Sequence, residues 1–161
     1  MVTNDQVVLH EEAVVFARLD EIGATFARAL RGGDLVLLYG PLGAGKTALV
    51  RAIARALGVV DPVRSPSFTI ANIYSGAIAV HHLDLYRLDE ICDEDSLALE
   101  EYVRGDAVTL AEWPQAGVRL LGEAAWTVTM GHKTLDERSI EIVASSREAA
   151  ERWRRAEQTG A

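Results

Sequence analysis

GPLGAGKT, residues 40–47, is a glycine loop of the form GxxxxGK[ST], and its flanks decide how the chain around it folds. Upstream, Leu35, Val36, Leu37, Leu38 and Tyr39 are apolar without interruption, bounded by Gly32, Gly33 and Asp34 before and by Gly40 after. Such a run predicts a strand buried on both faces of a parallel sheet. Downstream, Leu49, Val50, Ile53 and Leu57 recur at helical spacing while Arg51 and Arg55 face away, and Gly58 offers a left-handed stop. Strand, glycine loop, helix is the context in which this pattern cradles a nucleoside triphosphate.

The residue types supply the chemistry. Gly43 and Gly45 let successive backbone N–H groups curve around phosphate with no Cβ in the way, Ala44 lies between them, and the helix that begins near Lys46 adds its partial positive end. Lys46 is expected to reach the β and γ phosphates and the Thr47 hydroxyl to ligate Mg²⁺, with Ala48 next along the same turn.

Length and composition narrow the alternatives. A chain of 161 residues is one domain by the usual prior and long enough for a single core. With 49% hydrophobic and 25% charged residues it is globular, and no stretch approaches the roughly 20 apolar residues of a membrane span. Residues 1–10 show no basic region followed by an apolar one, so no secretory signal is read and the expected location is cytoplasmic. The single cysteine, Cys92, cannot close an internal disulfide, which agrees with a reducing compartment. Its neighbours Asp89, Glu90, Asp93, Glu94 and Asp95 disfavour a thiolate, so Cys92 is not read as a nucleophile. The net charge of −8 excludes the class of proteins that grip nucleic acid alone through clustered Lys and Arg. If RNA is involved, a partner holds it.

Away from the loop, Val7 to Leu9 form a short apolar run, and the segment 11–30 reads either as one helix or as a strand followed by a helix. Ile22, Phe26 and Leu30 mark its apolar stripe. From Phe68 the pattern has period two, with Phe68 and Ile70 answered by Ile78 and Val80 across a Ser75, Gly76 turn, which predicts a hairpin closed by residues 84–88. An acidic stretch, 89–95, reads as a solvated loop, followed by a helix around Leu97 to Val103. Residues 108–111 form a second buried strand ending at Glu112. Trp126, Val128 and Met130, then Ile140 and Ile142, predict a closing pair of strands around a 131–138 loop, and 147–158 reads as a polar terminal helix with frayed ends.

A phosphate loop needs an acid at the end of a neighbouring strand and a group that positions water or an acceptor hydroxyl. Glu112 directly follows an apolar strand, at the carboxyl edge where phosphates lie in this architecture, and Asp84 ends the second strand of the hairpin. Each acid alone reads more readily as a strand-end cap than as a catalyst. Beside a phosphate loop both become candidate catalytic residues.

In this order and at these intervals, GPLGAGKT (40–47), SPSFT (65–69), HLDLYRL (82–88) and AEWP (111–114) resemble the TsaE family, also called YjeE. These are small bacterial P-loop ATPases required for the threonylcarbamoyl modification of adenosine 37 in tRNAs that read ANN codons. The resemblance covers about residues 20–143. It implies an α/β P-loop NTPase fold, with a mostly parallel central sheet flanked by helices and an antiparallel hairpin, in a single domain whose residues 145–161 are a terminal helix or tail. ATP and Mg²⁺ are the implied cofactors. Lys46 then contacts phosphate, Thr47 and Glu112 belong to the Mg²⁺ site with Trp113 alongside, Asp84 supports hydrolysis, and Ser67 lies on a switch-like loop near the γ-phosphate. Arg138 aligns with an arginine used against the nucleotide. The implied partners are TsaD, the threonylcarbamoyl transferase, and its paralogue TsaB, which hold the tRNA while ATP binding and hydrolysis drive or reset the complex.

The chain also departs from the family's pattern. Pro41 stands where an acid is frequent and Ala48 where a second Thr is frequent, which removes polar contacts near the phosphates. Ser67 replaces a Thr but keeps the hydroxyl, and Leu19 occupies the place of a Thr that helps frame the base. Two other classes use the same loop. A nucleoside or nucleotide kinase needs an acceptor pocket and an arginine-bearing lid, for which no insertion is large enough; a GTPase switch needs an NKxD base-reading motif, which the chain lacks after residue 47. A nucleotide-dependent scaffold with little turnover stays open as an alternative and differs from the leading reading mainly in rate.

Overall fold

The apolar run 35–39 becomes the middle strand of a seven-stranded sheet. In the computed structural model, which describes residues 4–66, 70–88 and 98–160, the strands are β1 (Gln6–Val14), β2 (Leu35–Tyr39), β3 (Ala71–Tyr74), β4 (Val80–Asp84), β5 (Val108–Glu112), β6 (Trp126–His132) and β7 (Arg138–Ala144). Their order across the sheet is β1-β7-β6-β2-β5-β4-β3. β2 runs parallel to β5 on one side and β6 on the other, and β4 runs parallel to β5. The outer pairs β3–β4, β6–β7 and β1–β7 are antiparallel. The parallel centre explains the composition of β2, because a strand covered on both faces has no solvent side to fill with polar residues.

Among the described residues five helices cover the sheet: α1 (Phe16–Ala29), α2 (Lys46–Ala56), α3 (Leu99–Val103), α4 (Val118–Leu121) and α5 (Arg147–Thr159). On one face Phe26, Ile53, Trp126 and Trp153 belong to a core shared by α1, α2 and α5, and Phe26 meets both tryptophans edge to face, at 5.9 and 4.8 Å between ring centroids. On the other face Leu37, Leu83, Leu99 and Leu121 form a second core with α3 and α4. α1 and α2 touch so closely that a Cβ on Gly23 would stand 2.7 Å from Ala52, which requires glycine there.

Several expectations are settled by these elements. The segment 11–30 is a strand end followed by a helix, with the change at Val15. The hairpin forms with Tyr74 opposite Val80, so Ile78 lies before β4 rather than in it, and Phe68 falls outside the described residues. The closing strands form as their alternation predicted but run further, pairing from Trp126↔Ala144 to His132↔Arg138, so Gly131, His132 and Arg138 stand in strands and the loop between them is only 133–137. The terminal helix is not the fraying polar element read from its charges: Ala149, Ala150, Trp153 and Ala156 are buried against α1, and the Ser146 hydroxyl caps its start by accepting from the Ala149 N–H at 3.0 Å. α3 begins at Leu99; Leu97, Cys92 and the acidic stretch 89–95 lie outside the described residues. Among the described residues no helix is long and apolar enough to cross a membrane.

Candidate functional site

Residues 40–47 leave the carboxyl end of β2 and enter α2 through a tight turn, in which the Ala44 N–H donates to the Pro41 carbonyl at 3.1 Å. Gly40, Gly43 and Gly45 all have positive φ, and Gly45 is the N-cap of α2 at φ 102°, ψ 13°. It has no side chain with which to cap the helix, so the first N–H groups of α2 are left for another acceptor. Uncapped N–H groups and the positive end of the helix dipole favour an anion there. Ala44 is fully buried, and Ala48 packs against the core below the loop.

At the first turn of α2, Thr47 faces β5. Its hydroxyl lies 2.9 and 3.0 Å from the two carboxylate oxygens of Glu112, to which it donates. Glu112 is 2% exposed at the end of β5, where the parallel pairing places it beside Leu38 of β2. A buried carboxylate needs donors, and the second is His82 of β4, whose Nε2 stands 2.5 Å from Glu112 Oε2. With Glu112 as a carboxylate, which can only accept, Nε2 is the donor of this pair. Nδ1 of the same fully buried ring has no hydrogen-bond partner among the described residues.

Lys46 is 4% exposed and held inside the loop's mouth. Its ammonium donates to the Gly40 carbonyl and sits 3.5 Å from the ring centroid of Trp113. Burial pushes its pKa below the ordinary lysine value, against the opposing pull of the Glu112 and Asp84 charges. Trp113 adopts φ 52°, an uncommon conformation for a bulky residue, at the turn where β5 gives way to the Pro114–Ala116 helical turn. Its ring packs against Tyr86 at 4.8 Å between centroids. Asp84 pairs in register with Glu112 across β4 and β5 and accepts from the Ser65 hydroxyl and the Tyr86 N–H, both at 3.1 Å.

Lys46, Thr47, Asp84 and Glu112 therefore converge at one sheet edge. Arg138 lies on the other flank of the loop, where a Cβ on Gly45 would stand 2.8 Å from its Cδ and Nε. Ser67 falls outside the described residues. Leu19, at the place of the base-framing Thr, is 2% exposed and belongs to the core, so it offers nothing to a ligand. The sequence reading assigned no role to His82. The signal available was the alternation of β4, which puts residues 82 and 84 on one side of the strand, but it identifies the Glu112 contact only once β4 is known to pair with β5. It also missed His132, whose Nε2 lies 3.1 Å from the Leu42 carbonyl and ties the β6–β7 hairpin to the loop.

The residues fit a magnesium-bound nucleoside triphosphate: uncapped N–H groups and a buried lysine suit phosphate oxygens, and a hydroxyl paired with a carboxylate suits a hard cation. Thr47 and Glu112 are the candidate protein ligands, because the hydroxyl stands 2.9 and 3.0 Å from the two carboxylate oxygens; among the described residues there is no cluster of three or more His, Cys, Asp or Glu able to hold a metal.

Comparison with known proteins gives a consistent result. The family model described as "Threonylcarbamoyl adenosine biosynthesis protein TsaE" matches residues 15–140. Among similar chains, the tRNA threonylcarbamoyladenosine biosynthesis protein TsaE of Treponema pallidum is 35% identical over 120 residues, covering 74% of this chain and 87% of its own. The protein of that name from Bacillus subtilis is 35% identical over 135 residues, 83% of this chain and 80% of its own. The crystal structure of Bacillus subtilis YdiB superposes with a TM-score of 0.81 at 26% identity, over 100% of this chain and 99% of that one. With the sheet order and the glycine loop, these likenesses establish a P-loop NTPase fold.

Proposed function

This chain belongs to the TsaE family of tRNA threonylcarbamoyladenosine biosynthesis, and from that membership we propose that it is the ATPase of that pathway. In this reading Mg-ATP binds over residues 40–47, and its hydrolysis drives or resets a transferase complex of TsaD- and TsaB-like proteins during t6A formation in the cytoplasm. The observation that carries the reading is the convergence of Thr47, Glu112 and His82 beside a buried Lys46, because it pairs a phosphate-seeking cation with a preformed hydroxyl–carboxylate site.

The geometry supports a role for each residue. The uncapped N–H groups of α2 and Lys46 bind the phosphates; Thr47 and Glu112 would hold the Mg²⁺, which when bound neutralises charge on the β and γ phosphates. Asp84, fixed by Ser65 and the Tyr86 N–H, orients the water that attacks the γ-phosphorus, so that the bond to the bridging oxygen breaks and ADP and phosphate leave. The excess of acidic over basic residues, 24 against 16, suits a subunit that leaves tRNA to its partners.

Reconstituted tRNA threonylcarbamoylation with TsaD- and TsaB-like proteins, with and without this chain, tests the proposal. Multiple-turnover product formation that requires both the chain and hydrolysable ATP is expected. Equal product without it, or with Lys46→Ala in its place, removes the proposal.

A further inference from the structure

Three observations meet at Arg138. Its Cδ and Nε run along the phosphate loop, 2.8 Å from where a Cβ on Gly45 would stand. Its Nε and Nη1 are buried and, among the described residues, have no hydrogen-bond partner. Its Cζ lies 4.5 Å from the ring centroid of Phe16, which follows two residues after Val14, the residue of β1 that pairs with Arg138.

Phe16 has no evident structural reason to be aromatic. It is the first residue of α1 and 54% exposed, and the turn before it has no side-chain cap to complete. What the ring does is cover a guanidinium. A long, flexible cation beside a glycine loop needs something to hold it, and a carboxylate would do so by consuming its N–H donors and neutralising its charge. A cation–π contact fixes the guanidinium plane and leaves both donors and charge available.

We propose that Phe16 is a positioning residue that holds Arg138 against the phosphate loop, keeping the unpartnered N–H groups of the arginine ready for an anionic oxygen of the bound nucleotide. The inference rests on the reading that residues 40–47 bind a nucleoside phosphate. Phe16 does not touch the nucleotide; it acts through Arg138, and its loss is felt as affinity for ligand.

The test is calorimetric titration of the full chain with Mg-ADP in wild type, Phe16→Leu, Phe16→Trp, Arg138→Gln and the Phe16→Leu/Arg138→Gln pair. Leucine keeps an apolar side chain at the helix start and removes only the π face. Affinity is expected to fall about five- to tenfold in Phe16→Leu, to hold in Phe16→Trp, and to be no weaker in the double variant than in Arg138→Gln. The Arg138 Nε–H resonance of the nucleotide-free protein should shift when the ring is removed, which a general loss of stability would not produce. Wild-type affinity in Phe16→Leu, an unmoved Arg138 resonance, or a further loss from Phe16→Leu in the Arg138→Gln background each overturns the inference; the last would mean that Phe16 meets the ligand directly. No Mg-ADP binding by the wild type overturns the nucleotide reading itself, and this inference with it.

Discussion

The imidazole of His82 and the carboxylate of Glu112 stand 2.5 Å apart between adjacent parallel strands, both buried. Glu112 is thereby fixed from behind by one donor while it receives the Thr47 hydroxyl from the front. A carboxylate held from two sides does not have to be reoriented when a cation arrives, which is how a preorganised site differs from an acid on a flexible loop.

His82→Ala should lower the stability of the free protein by about 2–4 kcal/mol, since it opens a cavity and leaves a buried carboxylate with one donor fewer. Urea unfolding at neutral pH measures this. A loss below about 1 kcal/mol would mean that the pair contributes little to holding the strand ends.

Glu112→Gln and Asp84→Asn preserve shape and remove charge at two acids that face the same loop. Each should bind ATP within a few-fold of wild type, and each should release phosphate about 100-fold more slowly. Phosphate release at the wild-type rate by both variants would show that hydrolysis depends on other groups.

Lys46→Met should abolish ATP binding in calorimetry and yet leave the nucleotide-free protein as stable as wild type, or more so. Burial depresses the Lys46 pKa, so the folded state pays for its charge at every pH below that lowered value, and the penalty fades as pH rises toward the ordinary 10.5. The stability gap between variant and wild type should therefore be widest near neutrality and narrow in alkaline solution. A variant clearly less stable than wild type at neutral pH would contradict this account.

His10 lies on β1 with its ring nitrogens 2.7 Å from Glu12 and 3.1 Å from Glu141, and these hydrogen bonds hold its pKa above 6.5. A raised folded value means that the stabilisation is complete below 6.5 and is lost as pH rises through the folded pKa. NMR titration should show His10 deprotonating above 6.5, and Glu12→Gln should move the midpoint down. An unchanged midpoint in that variant would assign the shift to Glu141 alone.

Trp153→Ala should destabilise the protein by about 3–5 kcal/mol, because the indole is 1% exposed and packs edge to face on Phe26 at 4.8 Å. Thermal unfolding followed by circular dichroism checks it. A small effect would restore the terminal helix to the frayed appendage that its charges suggest.

The parts of the fold legible in the sequence were those fixed by local pattern. The apolar run before Gly40, the helical spacing after Lys46 and the alternation of 126–130 with 140–142 each specify one element without reference to the others. β1 was only partly legible, as the run Val7 to Leu9 and as one of two readings of 11–30, because its pairing with β7 shifts register between Val7 and Leu9 and again between Glu11 and Val14, which breaks period two. The buried stripe of α5 was hidden because three of its four members are alanines, too small to stand out among arginines and glutamates. At the site, Lys46, Thr47 and the strand-end acids could be named from motif and position. The contacts of His82 with Glu112 and of Phe16 with Arg138 could not, since each depends on which strands and helices the topology makes neighbours.

The placement of β2 between β5 and β6 also bears on how the molecule is made. Synthesis delivers the glycine motif early, at residue 47, but neither strand that flanks its root has been translated until residue 108 and then 126. A ribosome paused before that point displays an apolar ribbon with both edges open and a loop with nothing to hold its shape, the state most exposed to aggregation. The glycine loop thus gains its flanking strands late, when the last third of the polypeptide pairs beside its first.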